Sequence, residues 1–138
     1  MSIEPRAWSE ADYPHQDLTR KIIAAANKVH EELGPGFVES IYQNAMLHQL
    51  QKAGLDVQME VTVPVFFDGV RVGEHRIDLL VNNLAVVELK AVNELASVHE
   101  AQVKSTLKAA DLELGLLMNF NVKQLTYGGL RRIICRKQ

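Results

Sequence analysis

The chain predicts a three-layer α/β domain, in which a mixed sheet, an antiparallel meander extended through a crossover helix, is flanked by helices. Three observations carry that expectation. Apolar residues recur at helical spacing through residues 18–33 and 38–53. A strict alternation beginning at Val57 is followed by apolar runs joined at Asp68-Gly69 and Asn82-Asn83, both turn-forming pairs. Beyond these lie one more helical stretch, 98–110, and two further strands. Short turns make consecutive strands antiparallel, whereas an intervening helix permits one parallel pair.

A chain of 138 residues is long enough for one core and too short for two ordinary domains. Hydrophobic residues make up 47% and charged residues 23%, as in ordinary globular proteins. The single Cys135 has no internal partner for a disulfide, the amino terminus does not resemble a signal peptide, and no apolar run approaches the roughly 20 residues of a membrane helix. These features point to a reducing cytoplasm. The net charge of -2 gives no broad basic footprint for phosphates, although Arg131, Arg132, Arg136 and Lys137 form a local basic patch at the carboxyl end. That patch suits either phosphate contact or an end strand protected by charge against edge pairing.

Residues 1–16 mix Pro5, Trp8 and Pro14 with scattered charges and read as an irregular arm, either packed through Trp8 and Tyr13 or mobile; residues 17–138 form a single domain. Asp17 is placed as the N-cap of a helix from Leu18 to Leu33, buried through Leu18, Ile22, Ala25, Val29 and Leu33. Gly34-Pro35-Gly36 ends it. A second helix, Val38 to Ala53, turns Ile41, Ala45 and Leu50 inward. Val57, Met59, Val61, Val63 and Val65 then alternate with Gln58, Glu60 and Thr62 in the clearest strand, where Pro64 marks an edge or a bulge. Ser97-Val98-His99-Glu100 has the form of a capping box, starting a helix from Val98 to Ala110 with a narrow small-residue face of Val98, Ala101, Ser105 and Ala109. Strands at Leu114–Phe120 and Leu125–Cys135 complete the sheet.

The chemistry concentrates between Glu74 and Lys90. Asp78, Glu88 and Lys90 stand where the apolar pattern expects burial, and charges are almost never buried without partners. Alternation puts Glu88 and Lys90 on one face. A two-residue loop, Asn82-Asn83, would set Asp78 opposite Val87 and separate the two acids. A three-residue loop, Asn82-Asn83-Leu84, sets Val81 against Ala85 and Asp78 across from Glu88, and Asn tolerates the left-handed conformation such loops carry. The second register is expected. Opposed Cβ atoms about 5 Å apart let two carboxylates share one hard divalent cation. The same trio also allows a plain ion pair between Asp78 and Lys90 with Glu88 solvated.

Ile77-Asp78 followed by Glu88-Leu89-Lys90 resembles the PD-(D/E)XK nuclease superfamily, and Gly36-Phe37-Val38-Glu39-Ser40-Ile41-Tyr42 matches the Gly-x-x-Glu-x-x-Tyr pattern of its GxxExxY family. Val29 to Gly36, Val87 to Val92 and Gly115 to Phe120 are also similar to that family, in the same order, so the resemblance spans about Leu18 to Ile134. It implies a restriction-endonuclease-like core and a metal-dependent nuclease acting on DNA, or on RNA. By the same resemblance, Asp78, Glu88 and the main-chain carbonyl of Leu89 would hold Mg²⁺ or Mn²⁺, and Lys90 would serve the attacking water. Glu39 would be a supplementary ligand to metal or water, Tyr42 a packing residue with a bonded hydroxyl, and Gln102 a further site residue. Thr106 stands where the family carries a tyrosine. His30 either caps its helix or reaches the site, and the histidines show no zinc spacing. Two other readings keep the residues without the cleavage: a nuclease-like module that binds nucleic acid or protein, and an interaction subunit. A homodimer would help so small a domain span a duplex.

Overall fold

The computed structural model describes residues 14–136, so Trp8, Tyr13 and most of the arm lie outside the described residues. The elements follow in the order α1 (Gln16–Leu33), α2 (Glu39–Lys52), β1 (Val57–Phe67), β2 (Val70–Val81), β3 (Ala85–Lys90), α3 (Ser97–Ala110), β4 (Leu114–Asn119) and β5 (Leu130–Ile134). One five-stranded sheet has the order β1-β2-β3-β4-β5. Its β1–β2, β2–β3 and β4–β5 pairs are antiparallel, and β3–β4 is parallel through α3. Both hairpin turns use left-handed residues: Asp68 and Gly69 in one, Asn82 and Asn83 in the other. Pro64 lies on β1, an edge strand, where a missing donor is tolerated.

Two apolar layers sandwich the sheet. Ile22, Ala26 and Val29 of α1, with Tyr42, Met46 and Leu50 of α2, cover Leu79, Val81, Val87, Leu89 and Met118. On the other face Val103 and Leu107 of α3 cover Ile77, Leu80, Val86 and Leu117. Gly115 of β4 lets α3 approach, since a Cβ there would lie 2.6 Å from Val103 Cγ1. This is the α/β three-layer arrangement expected.

Several local expectations are corrected. His15, in a left-handed conformation, occupies the N-cap position of α1, and Asp17 sits inside the first turn paired with Arg20 at 2.9 Å. On α2 the buried residue is Tyr42, while Ile41 is exposed, because the tyrosine hydroxyl finds partners on the preceding loop. On α3 the sheet-facing residues are Val103, Thr106 and Leu107; Val98, Ala101 and Ser105 are exposed. That helix begins one residue early, at Ser97. His99 Nδ1 accepts the Ala96 N–H at 2.9 Å in place of a Ser97–Glu100 box, and Glu100 binds Arg131 at 3.3 Å. The last strand starts at Leu130: residues 120–129 form an irregular loop in which the Gly129 carbonyl accepts the Asn119 N–H.

Candidate active site

Pairing between β2 and β3 runs Val81↔Ala85, Leu80↔Val86 and Leu79↔Val87. The loop is therefore three residues long, and Asp78 and Glu88 form the next position, where the strands part. Two side chains bridge this fork. Asp78 Oδ2 accepts the Leu89 N–H at 2.9 Å, and Glu88 Oε1 accepts the Asp78 N–H at 3.3 Å. Each carboxylate thus spends one oxygen on a main-chain donor freed by the fork and keeps the other available. From α2, Gln43 Nε2 donates to the Asp78 carbonyl at 3.1 Å. Asp78 is held at its N–H, its carbonyl and its carboxylate.

Lys90 is half-buried, two residues along from Glu88. It lies near enough to act by charge on Glu39, Asp78 and Glu88, but among the described residues it forms no ion pair. The plain Asp78–Lys90 pair is absent. Beyond Lys90 the chain is clamped by Asn119, a fully buried amide on β4. Its Oδ1 accepts the Val92 N–H at 3.0 Å, and its Nδ2 donates to the Val92 carbonyl at 2.9 Å. A buried amide with its donors and acceptors satisfied fixes backbone geometry at little net cost.

Glu39, in the first turn of α2, lies near enough for the charges of Asp78 and Lys90 to act on it. Its placement explains the spacing of the Gly36, Glu39 and Tyr42 pattern. Gly36 turns with φ of 111°, which favours glycine. Tyr42 is fully buried, and its ring stacks on Phe120 with centroids 4.7 Å apart. Its hydroxyl donates to the Gly34 carbonyl and accepts the Phe37 N–H at 3.2 Å, stapling the loop that starts the helix. His30 pins another loop, with Nε2 donating to the Val122 carbonyl at 2.8 Å, so it serves the framework.

Residues 16–133 match the family model of the PD-(D/E)XK nuclease superfamily. The chain belongs to that superfamily. Comparison with curated proteins and with solved structures gives no match. Membership supports a nuclease-type enzyme with a nucleic-acid substrate, and PD-(D/E)XK nucleases typically use divalent metals. Among the described residues no three His, Cys, Asp or Glu side chains converge as a metal cluster. The two carboxylates at this PD-(D/E)XK fork, Asp78 and Glu88, are hard oxygen donors of the type that would suit a cation taking one or two carboxylates and keeping its waters.

The electrostatics of the fork fit an unneutralised acid pair. Burial, reinforced by the negative charge of Asp78, pushes the Glu88 carboxyl up to about 7; the Asp78 N–H and Lys90 oppose this. Asp78 is raised by burial against the opposing Leu89 N–H and Lys90, and partial burial followed by the charge of Asp78 raises Glu39. Native Glu88 therefore holds a proton that the unfolded chain releases from about pH 4.5 upward. Its contribution to stability falls as pH rises through that window and is lowest above about 7. Metal-free Glu88→Gln is expected to be about 1–3 kcal/mol more stable than the parent at pH 8, with the gap closing near pH 5, as read by urea unfolding at both pH values.

Gln102 stands apart from the cluster, and two residues near the fork, Gln43 and Glu60, were not legible in the sequence. Gln102 is exposed on α3 and makes no hydrogen bond to Asp78, Glu88 or Lys90; its carbonyl accepts the Thr106 hydroxyl at 3.0 Å. Thr106 is buried and lies 2.8 Å from His75 Nδ1. Gln43 follows Tyr42 directly, and its only sequence signal is a polar residue beside a buried position of the motif helix. Glu60 on β1 is the second, close enough for its charge to raise Asp78.

Proposed function

We propose that this chain is a metal-dependent nuclease of the GxxExxY branch, hydrolysing phosphodiester bonds in DNA in preference to RNA. The observation that carries this reading is the reciprocal pair of bonds at the fork, which leaves one oxygen each of Asp78 and Glu88 free beside Lys90. Asp78, Glu88 and the main-chain carbonyl of Leu89 would hold Mg²⁺ or Mn²⁺, with Glu39 as a supplementary ligand through water. When bound, such an ion polarises the scissile phosphate and lowers the pKa of a bound water.

The remaining work falls to the chain. The Lys90 ammonium, a compact charge with three rotatable donors, orients the attacking water and stabilises the non-bridging oxygens as charge builds on them. Gln43 and the Leu89 N–H keep Asp78 aligned, so little reorganisation is needed during reaction. Gln102, with an amide open to solvent, is assigned to substrate contact. A cytoplasmic homodimer suits so small a domain, and no helix among the described residues is long and apolar enough to cross a membrane.

Incubation of the full chain with plasmid, single-stranded DNA and RNA in Mg²⁺ or Mn²⁺ tests this reading. Cleavage that chelation abolishes, faster on DNA, is expected. Retardation of nucleic acid in a gel without cleavage would instead identify a binding module, and neither behaviour would point to an interaction subunit.

A further inference from the structure

β1 and β2 keep one register from Val57↔Val81 to Val65↔Gly73, yet the pair at its middle, Glu60 and Asp78, is skipped. Glu60 has φ of 55°, a left-handed backbone uncommon outside Gly, Asn and Asp. At this point the two strands exchange faces. Val57 packs with Leu79 and Val81 in the layer of α1 and α2. Val61 and Val63 pack with Ile77 beneath α3. Uninterrupted alternation would keep all three valines on one face, and Ile77 with Leu79.

The Glu60 side chain is exposed and forms no hydrogen bond or ion pair among the described residues. Its negative charge opposes ionisation of Asp78. A side chain without contacts cannot place Asp78; the left-handed backbone at residue 60 can. We propose that the left-handed conformation at Glu60 is a positioning device: by turning β1 over, it carries β2 out of alternation at Asp78 and directs that carboxylate along the fork onto the Leu89 N–H. This rests on Asp78 being a site residue, and its test reads geometry separately from cleavage.

Hydrogen exchange of the Leu89 amide is measured by NMR on the metal-free full chain, with β4 amides as a control for global folding. Glycine adopts positive φ without strain, a β-branched residue resists it, and glutamine removes the charge while keeping the backbone preference of glutamate. Glu60→Gly and Glu60→Gln are expected to protect Leu89 at least as well as the parent, and Glu60→Val to exchange roughly tenfold faster or more at Leu89 while β4 stays protected. Loss of Leu89 protection in Glu60→Gln or Glu60→Gly overturns the proposal, as does unchanged protection in Glu60→Val. Should Glu60→Val unfold globally, the glycine and glutamine variants decide. If the chain cleaves nothing, the exchange result still stands, so failure of the nuclease reading and failure of this one are told apart.

Discussion

Asp78→Asn is expected to lower metal-dependent cleavage by roughly 10³-fold or more, while the urea midpoint stays close to that of the parent. The asparagine carbonyl can still accept the Leu89 N–H, so the bond that bridges the fork survives. What disappears is one of two charged oxygen ligands for a hard cation, and with it several kcal/mol of charge stabilisation in the transition state; each 1.36 kcal/mol is tenfold in rate. Lys90→Ala removes a cation that forms no ion pair among the described residues and favours the three acids only through its charge, so its loss should cost about 1 kcal/mol or less. Its rate effect is expected to be about 10²–10³-fold, the usual result of deleting one preorganised donor. Parallel measurement of cleavage and urea unfolding checks both variants. A loss of stability matching the loss of rate would mean that the trio serves the fold.

Tyr42→Ala is expected to have the largest effect on stability, about 3–5 kcal/mol by urea unfolding. The side chain is fully buried and stacked on Phe120, so truncation leaves a cavity between α2 and the end of β4. Tyr42→Phe keeps the ring and strips only the hydroxyl, leaving the Gly34 carbonyl and the Phe37 N–H without this partner. A cost of about 1–3 kcal/mol is expected for unsatisfied groups of this kind. Because the hydroxyl staples the loop that aims Glu39, Tyr42→Phe should also reduce cleavage more than its stability loss explains, and Glu39→Gln should not add fully to it.

The features legible in the sequence were those enforced by residues with few conformational choices. Asn82 and Asn83 tolerate the left-handed backbone that a three-residue loop needs, and that loop fixed the register that opposes Asp78 and Glu88. Asp68-Gly69 marked the other hairpin for the same reason. Glu60 was hidden because the apolar alternation through it is unbroken and glutamate gives no cue for positive φ. On α2, hydrophobicity alone ranked Ile41 above Tyr42, but burial went to the side chain whose polar tip had partners. His99 replaced the Ser97–Glu100 box because an imidazole at the third helical position can reach the same N–H. Leu125 suggested a strand, yet Gly128 turns with φ of 85° and the Gly129 N–H bonds back to Leu125. Gln43 carried no signal beyond its polarity beside Tyr42, because a side-chain amide reveals its partner only once the fork is folded.

Titration of the metal-free full chain with Mn²⁺, followed by calorimetry and by the electron paramagnetic signal of the free ion, tests the fork most directly. One ion per chain is predicted, with affinity rising as pH passes through about 7, where Glu88 releases its proton. Binding should be lost when Asp78 and Glu88 are both replaced by alanine in a chain that still folds. Mn²⁺ binding of equal strength in that double variant, or none in the parent, would contradict the assignment of these two carboxylates to a metal.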